Sequence, residues 1–459
     1  MSKLPYILAP VLLLAAACEK EPVTDGPALS GEEIVLSANL PEDWSPLQTK
    51  SEITSTSDLQ SEGFGVFAYY TGTDDYSDIS SADGVIFNNR QVSYASSAWS
   101  YSISGAGKEY WPTKAGEKVS FFAYAPWGDW NSVVSTTGTA PSIPYSVIDE
   151  LTAAKITAQK DLLWGTQSNG SPYRNVTRDD VDGQVNFHFR HAISKMRFYV
   201  AAGATGETTG ASTYSDWGSW SILSGGGKGS TTRTMMRQGY RYYTVTTSKY
   251  YVKSLVVGGL YASADLSLNN TGAYVPEWSN ASGSSSYTIS SSNVLQTTLS
   301  NTSNAGIVES LTAVMNNANY YLYVIPGVPA TFTLTYFPRE TSTTYRIRVY
   351  QYCVQSRPSG AGSWPSDGDG ELSYEDSGSA SQYGSATTNK DDVVASATMP
   401  GAIQPSRKYD INLYLQGSKV ELDLVPQRWE VEEMTYDYTN AENPRIQELT
   451  YDSDYIDYA

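Results

Sequence analysis

Hydrophobic and polar residues alternate along much of this chain with the period of two that a half-buried β-strand requires, and hardly anywhere with the helical period. EIVLSANL (33–40) sets Ile34, Leu36, Ala38 and Leu40 against Val35, Ser37 and Asn39, which predicts a strand with one buried face. Further strands are predicted in GFGVFAYY (63–70), KVSFFAYAP (118–126), QVNFHFRHAISKMRFYV (184–200), SLVVGGLYASADLSL (254–268) and NYYLYVIPGVPATFTLTYF (319–337). TYRIRVYQYCV (344–354), KYDINLYLQ (408–416) and KVELDLVPQRW (419–429) complete the set. In KMRFYV, Met196, Phe198 and Val200 should face a core while Lys195, Arg197 and Tyr199 face water. The most helix-like stretch is VIDELTAAKITAQKDLL (147–163), and its β-branched residues weaken it.

The densest aromatic block is KEYWPTKAGEKVSFFAYAPWGDW (108–130). Within it Val119, Phe121, Ala123 and Ala125 alternate with Ser120, Phe122 and Tyr124, so both faces are largely apolar. That pattern predicts a strand covered on both sides or lying near a domain junction. Trp127 and Trp130, beyond Pro126, are left as candidate exposed aromatics. Gly/Ser/Thr-rich stretches at 201–250, 269–305 and 355–390 read as long surface loops or insertions. With 459 residues and no internal repeat, the pattern predicts an all-β protein of two tandem β-sandwich domains rather than a solenoid or propeller. The junction is expected near 180–190, where the turn-like RDDVDG (178–183) precedes a fresh strand.

Composition fixes the compartment more than the chemistry. MSKLPYILAPVLLLAAAC has one cation, an apolar run and then Cys18, so residues 1–17 read as a secretory signal, too short for a membrane-spanning helix. LAAAC resembles a bacterial lipobox, which makes Cys18 the expected lipidation site, followed by the charged Glu19, Lys20 and Glu21. Cys353 is then the one cysteine left, on an apolar strand pattern that suits a buried filler. A formal charge of −18 argues against nucleic-acid partners.

Catalytic machinery is not legible. The two histidines, His188 and His191, are three apart on a predicted strand and therefore point to opposite faces. GGGKGS (225–230) lacks the spacing of a phosphate-binding loop. DGDGELSYED (367–376) clusters Asp367, Asp369, Glu371, Glu375 and Asp376, but lacks the glycine that an EF-hand-type calcium loop needs and reads by default as a solvated acidic loop. The expectation is no enzyme, no cofactor and no metal, although converging carboxylates leave no sequence signature.

Taken in order, GFGVFAYY, YWPTKAGEKVSFFAYAPW, DLLWGTQ, VNFHFRHAISKMRFYV and YYLYVIPG resemble the fimbrillin family of Bacteroidales, the Mfa-like and FimA-like lipoproteins of type V pili. The resemblance spans roughly residues 63–430, and the lipobox agrees with it independently. It implies two tandem transthyretin-like β-sandwich domains with long loop insertions. It also implies export as a lipoprotein to the surface of the outer membrane, cleavage in the loop after the first strand, and assembly with other pilus subunits into a fimbrium. Strand removal would open a groove that a neighbour's strand fills. On this sequence the removable strand would present Ile34, Leu36, Ala38 and Leu40. Lys50, where the family usually carries Arg, would be the cleavage point, since it is the one Lys or Arg between Lys20 and Arg90.

The implied layout is a signal at 1–17, a segment with removable strand and cleavage loop at 18–62, and sandwiches at 63–185 and 186–430, the second with insertions near 201–250 and 269–305. Residues 431–459 follow, in which Leu449, Tyr451 and Tyr455 share one face: either a donor strand or an acidic tail. Two functions compete. One is a structural and adhesive pilus subunit that meets a host or bacterial surface ligand. The other is a surface lipoprotein binding glycans through Trp127, Trp130, Trp217 and Trp220.

Overall fold

The computed structural model describes residues 29–40, 52–77, 81–101, 107–133, 141–202, 207–272, 274–300, 311–416 and 419–428. The predicted signal, Cys18, Lys50 and the segment holding Leu449, Tyr451 and Tyr455 lie outside these residues. The first part of the chain contains β1 (Leu29–Glu33), β2 (Val35–Asn39), helix α1 (Thr56–Glu62), β3 (Phe64–Tyr70), β4 (Gly84–Ala95), β5 (Ala98–Tyr101) and β6 (Tyr110–Pro112). It continues with β7 (Val119–Ala125), β8 (Ser142–Ser146), α2 (Ala153–Thr157), β9 (Leu163–Thr166), β10 (Tyr173–Val176) and β11 (Gln184–His191). Helix α1 starts where the Ser55 side chain accepts from the backbone of Asp58, and stops at Gly63, whose φ of 67° favours glycine. The predicted helix at 147–163 is reduced to α2, because Val147 and Ile148 pack as apolar side chains against a core instead.

Seven strands form one sheet in the order β2-β11-β9-β7-β3-β4-β5, with β10 beside β7. β2 runs parallel to β11, whereas the other neighbours are antiparallel. The sheet rolls until its end strands meet: in β5, Trp99 donates to the Ala38 carbonyl of β2 and Tyr101 to that of Ile34 just before it. Inside the roll lies a core of Ile34, Leu36, Phe64, Trp111, Phe187 and Phe189, among others.

β7 is buried along its whole length. Val119, Phe121, Ala123 and Ala125 enter the first core, while Phe122 and Tyr124 join a second cluster with Trp130, Tyr145, Leu266, Tyr323 and Ile325. This second cluster seams the rolled sheet to the rest of the chain, so the expectation of a strand covered on both sides holds.

The remaining strands are β12 (Ser194–Ala202), β13 (Thr208–Thr209), β14 (Thr213–Ser215), β15 (Ser221–Ser224), β16 (Thr232–Leu260), β17 (Ser263–Ser267), β18 (Glu277–Ser282) and β19 (Ser285–Ser290). After α3 (Thr297–Ser300) come β20 (Thr312–Ala313), β21 (Leu322–Val324), β22 (Thr331–Ser356), β23 (Glu371–Asn389), β24 (Val393–Thr398), β25 (Arg407–Gln416) and β26 (Lys419–Arg428). β12 lies parallel to β25, and β25 pairs with β26. Met196, Phe198 and Val200 meet Val252, Leu255, Phe332 and Ile411 in the third core. β11 belongs wholly to the rolled sheet, so the chain crosses at Ala192–Ile193 rather than at the expected 180–190. β8 also crosses, pairing with β17.

Two of the three stretches read as loops contain most of β16, the longest strand, and all of β23. β16 runs 29 residues, which is roughly 95 Å at about 3.3 Å per residue. It pairs with β22 continuously from Thr232 to Val252, and β22 in turn with β23. The last third of β16 enters the third core, through Val252, Leu255, Val257 and Leu260. The outer part leaves the body as an arm, with β13, β14 and β15 along one edge and β23 along the other. The 269–305 stretch likewise holds β18 and β19. The outer part of β16 and β23 escape a hydrophobic-pattern reading because they join none of the three cores: Thr, Tyr and Ser pair across strands without building an apolar face.

Candidate strand-exchange site

β2 is fixed by its burial, by one ladder and by side-chain donors. Ile34, Leu36, Ala38 and Leu40 are all buried in the first core, as their alternation requires. One edge pairs with β11, from Val35 opposite Gln184 to Asn39 opposite His188. The other edge has no ladder among the described residues. Instead Trp99 Nε1 donates to the Ala38 carbonyl at 3.1 Å and the Tyr101 hydroxyl to the Ile34 carbonyl at 3.0 Å. The Ile34 N–H donates to the Glu109 carbonyl at 2.9 Å. Burial pushes the Tyr101 hydroxyl up to about 12, so it stays protonated and available as a donor. Just before β2, Glu32 pairs with Arg178 and Glu33 with Lys108, and the Arg178 hydrogen bond holds the Glu32 carboxyl below its ordinary value. These surface pairs add little, since water screens them.

The described chain resumes at Glu52, two residues beyond Lys50, and is at once buried. The Glu52 carboxylate pairs with Lys195 on β12, and both side chains are almost wholly shielded. The Ile53 N–H donates to Asp161 Oδ2 at 3.2 Å, while Asp161 Oδ1 lies 2.9 Å from His191 Nδ1. Lys195 also sits 4.7 Å over the Tyr321 ring. Burial holds the Lys195 ammonium below its ordinary value, an effect that Glu52 opposes. Lys195 therefore does not face water as its strand alternation predicts. The segment after the loop covers that face and supplies the counter-charge.

Other sequence candidates settle differently. Trp130 is buried, not exposed: the 3-10 turn Gly128–Trp130 folds it into the seam, where Nε1 donates to the Pro144 carbonyl at 2.8 Å. Trp127 is half-buried against the same cluster and donates to the Asn89 carbonyl at 3.3 Å. Trp217 and Trp220 clasp Arg237, whose guanidinium lies 4.7 and 4.6 Å from their rings. Each tryptophan proposed to bind sugar is thus occupied, at least in part, by contacts within the chain.

His188 and His191 do lie on opposite faces, the first half-buried and the second fully buried. Cys353 is buried on β22, as a filler should be. The acidic stretch 367–376 is partly strand, with Asp367 paired to Arg233 and Asp376 to Arg241. Among the described residues no group of three or more His, Cys, Asp or Glu is placed to hold a metal, and no helix is long and apolar enough to cross a membrane. Glu52, Trp99, Tyr101 and Asp161 were not marked by any local signal. Their partners lie tens of residues away in sequence, or more than a hundred.

The chain is similar in structure to a fimbrial protein from Bacteroides vulgatus, at 17% identity, 86% of this chain, 99% of that one and a TM-score of 0.46. A putative cell adhesion protein from Bacteroides uniformis gives 11% identity, coverages of 87% and 99%, and a TM-score of 0.33. The tip fimbrial protein Mfa3 from Porphyromonas gingivalis gives 8% identity, coverages of 80% and 94%, and a TM-score of 0.26. Among curated protein sequences none matches. The family model for fimbrillin-like proteins matches residues 51–355, well over half of the chain, and the chain belongs to the fimbrillin-like family.

Proposed function

We propose that this protein is a structural and adhesive subunit of a cell-surface pilus, assembled by strand exchange and without a catalytic role. Membership of the fimbrillin-like family supports the pilus role. The strand-exchange reading rests on a single observation: β2 fills the first core from a sheet edge held by one short ladder and a few side-chain hydrogen bonds. The subunit travels as a lipoprotein on Cys18 to the surface of the outer membrane and is cut after Lys50. β1 and β2 then leave. Three large apolar side chains, Ile34, Leu36 and Leu40, lose their burial, a cost of roughly 5–9 kcal/mol. The exposed β11 edge and the emptied pockets must find a new strand. The segment 431–459 of a neighbouring subunit, with Leu449, Tyr451 and Tyr455 on one face, supplies it. The Glu52–Lys195 pair holds the newly cut end in the seam while the strand before it departs.

The test treats purified precursor, freed of lipid by Cys18→Ala, with limiting trypsin, and follows it by mass spectrometry and electron microscopy. A cut after Lys50, loss of the N-terminal peptide and growth of polymers are expected. Precursor cut at that point that remains monomeric overturns the strand-exchange reading.

A further inference from the structure

β2 and the residues that flank it fill their groove with side chains of graded size. Ile34, Leu36, Ala38 and Leu40 enter the first core in the order large, large, small, large, and all four are buried. The walls complement that order. β11 sets Val185 opposite Leu36 and the larger Phe187 opposite Ala38. On the other edge Trp99 donates to the Ala38 carbonyl, and Phe64 meets the Trp99 ring at 5.1 Å and the Phe187 ring at 5.8 Å. Rings therefore already occupy the space beside Ala38, and a larger side chain enters only by displacing one. Leu36 has a valine beside it, and Leu40 lies past the end of the ladder, so both places are less crowded.

The face of β2 away from that core carries no charge. Ser37 Oγ donates to Asn186 Oδ1 at 3.0 Å and accepts from Gln184 Nε2 at 2.8 Å, and Asn39 lies opposite His188. The matching positions of β11, Gln184, Asn186, His188 and Arg190, include no acid.

The segment 431–459, outside the described residues, contains the same order of sizes once. Read at every second residue, in either direction, it gives large, large, small, large only as Leu449, Tyr451, Ser453 and Tyr455. We infer that this segment enters the vacated groove in a single register, parallel to β11 as β2 is, with those four residues in the places of Ile34, Leu36, Ala38 and Leu40. The inference rests on the strand-exchange reading and adds the direction, the register and the residue that enforces them. Ser453 is that residue, the one side chain of the four small enough for the place between Phe187 and Trp99.

Sliding the segment two residues either way, or reversing it over the same span, drives a tyrosine into that place and leaves Ser453 in a leucine pocket. Reversing it about Ser453 instead buries Asp457 where Ile34 was, a carboxylate in an apolar pocket. In the inferred register the Leu449 and Ser453 carbonyls take over the Tyr101 and Trp99 donors. On the outer face Asp452 replaces Ser37 against the Gln184 and Asn186 amides, and Asp454 stands opposite His188, two residues from Arg190.

The experiment uses full-length Cys18→Ala chain cut at Lys50 by limiting lysine-specific protease, which spares residues 431–459 because they contain no lysine. Light scattering follows polymer growth. Ser453→Leu should slow it roughly tenfold or more, while Ser453→Ala stays near the parent rate. Where Ser453 sits in a leucine pocket, Ser453→Leu speeds growth instead. His188→Cys combined with Asp454→Cys reads the register directly: on oxidation the subunits should link into a ladder on a denaturing gel. His188→Cys with Thr450→Cys, the pair that the reversed strand brings together, should not link. Circular dichroism of the uncut variants checks that each is folded. A parent chain that stays monomeric after the cut overturns strand exchange and the register with it. Parent polymers that grow as fast or faster with Ser453→Leu, that slow equally with Ser453→Ala, or that link through Thr450→Cys rather than Asp454→Cys overturn the register alone.

Discussion

The carboxylate of Glu52 meets the ammonium of Lys195 inside the protein, across a separation of 143 residues. It ties the segment that follows the proposed cleavage loop to the first strand beyond the seam. A buried pair contributes little over a well-packed apolar one, but removing one partner strands the other charge. Glu52→Gln should therefore cost about 3–5 kcal/mol in urea unfolding, while the paired change Glu52→Leu with Lys195→Met recovers most of it. If the single and double variants unfold at the same urea concentration, the pair is not coupled and the staple is wrong.

The outer edge of β2 depends on the Trp99 and Tyr101 donors. Tyr101→Phe leaves the ring in place and removes the hydroxyl, a loss of roughly 0.5–1.5 kcal/mol, with the Ile34 carbonyl left unmet. Amide exchange of residues 35–39 should speed up roughly three- to tenfold, and after cleavage the N-terminal peptide should leave faster. Leu36→Ala, which opens a cavity under the same strand, should act in the same direction with about 2–5 kcal/mol. Unchanged exchange in Tyr101→Phe would mean that the Tyr101 hydroxyl does not help to hold the strand.

β7 and β2 were legible because their residues alternate against cores that are themselves apolar: Phe121 and Leu36 announce their direction locally. Of the arm, the strand at 344–354 was legible, but β23 and the outer part of β16 were not, for the opposite reason. Thr244 faces Thr344 and Thr246 faces Ser342, hydroxyl to hydroxyl, so the pairing that makes them strands leaves no hydrophobic period. Lys195 illustrates a third case. Its alternation was right, but the segment at Glu52 that covers it comes from another part of the chain, and no local pattern encodes that. Trp130 is a candidate for exposure by sequence because it follows Pro126, yet three residues of 3-10 turn suffice to return it to the seam.

That burial makes a distinct forecast for Trp130. Trp130→Ala should destabilise the chain by about 3–5 kcal/mol, as large-to-small changes in a core do, with no selective loss of sugar affinity. Differential scanning calorimetry alongside a glycan-binding assay separates the outcomes. A variant with wild-type stability and lost glycan affinity would restore the binding-platform reading for this residue.

Acid should weaken the rolled sheet through His188. Burial, with a smaller push from Arg190, holds its imidazole below the ordinary value of 6.5. The unfolded chain therefore binds the proton more readily than the folded one, so stability falls as pH drops through about 6.5 and levels off below the folded value. In His188→Gln that part of the pH dependence disappears. Unfolding midpoints at pH 7.5 and 5.5 should lie closer together in the variant than in the parent, and an equal gap in both would remove His188 from the account.

Gly239 on β16 is where the face of the arm that carries Trp217 is most constrained. Trp217 lies flat on it, and a Cβ there would fall far inside van der Waals contact with the indole. Gly239→Ala must therefore push Trp217 off the sheet, away from Arg237, and take with it the stacking onto Tyr214. Because the arm packs on no core, the damage should stay local: global unfolding shifts by no more than about 1 kcal/mol, while tryptophan fluorescence moves to the red as Trp217 meets water. Arg237 loses one of its two indole covers and becomes more accessible. If Gly239→Ala instead unfolds the body cooperatively with the arm, the arm is part of the folding unit and is supported by more than its own ladder.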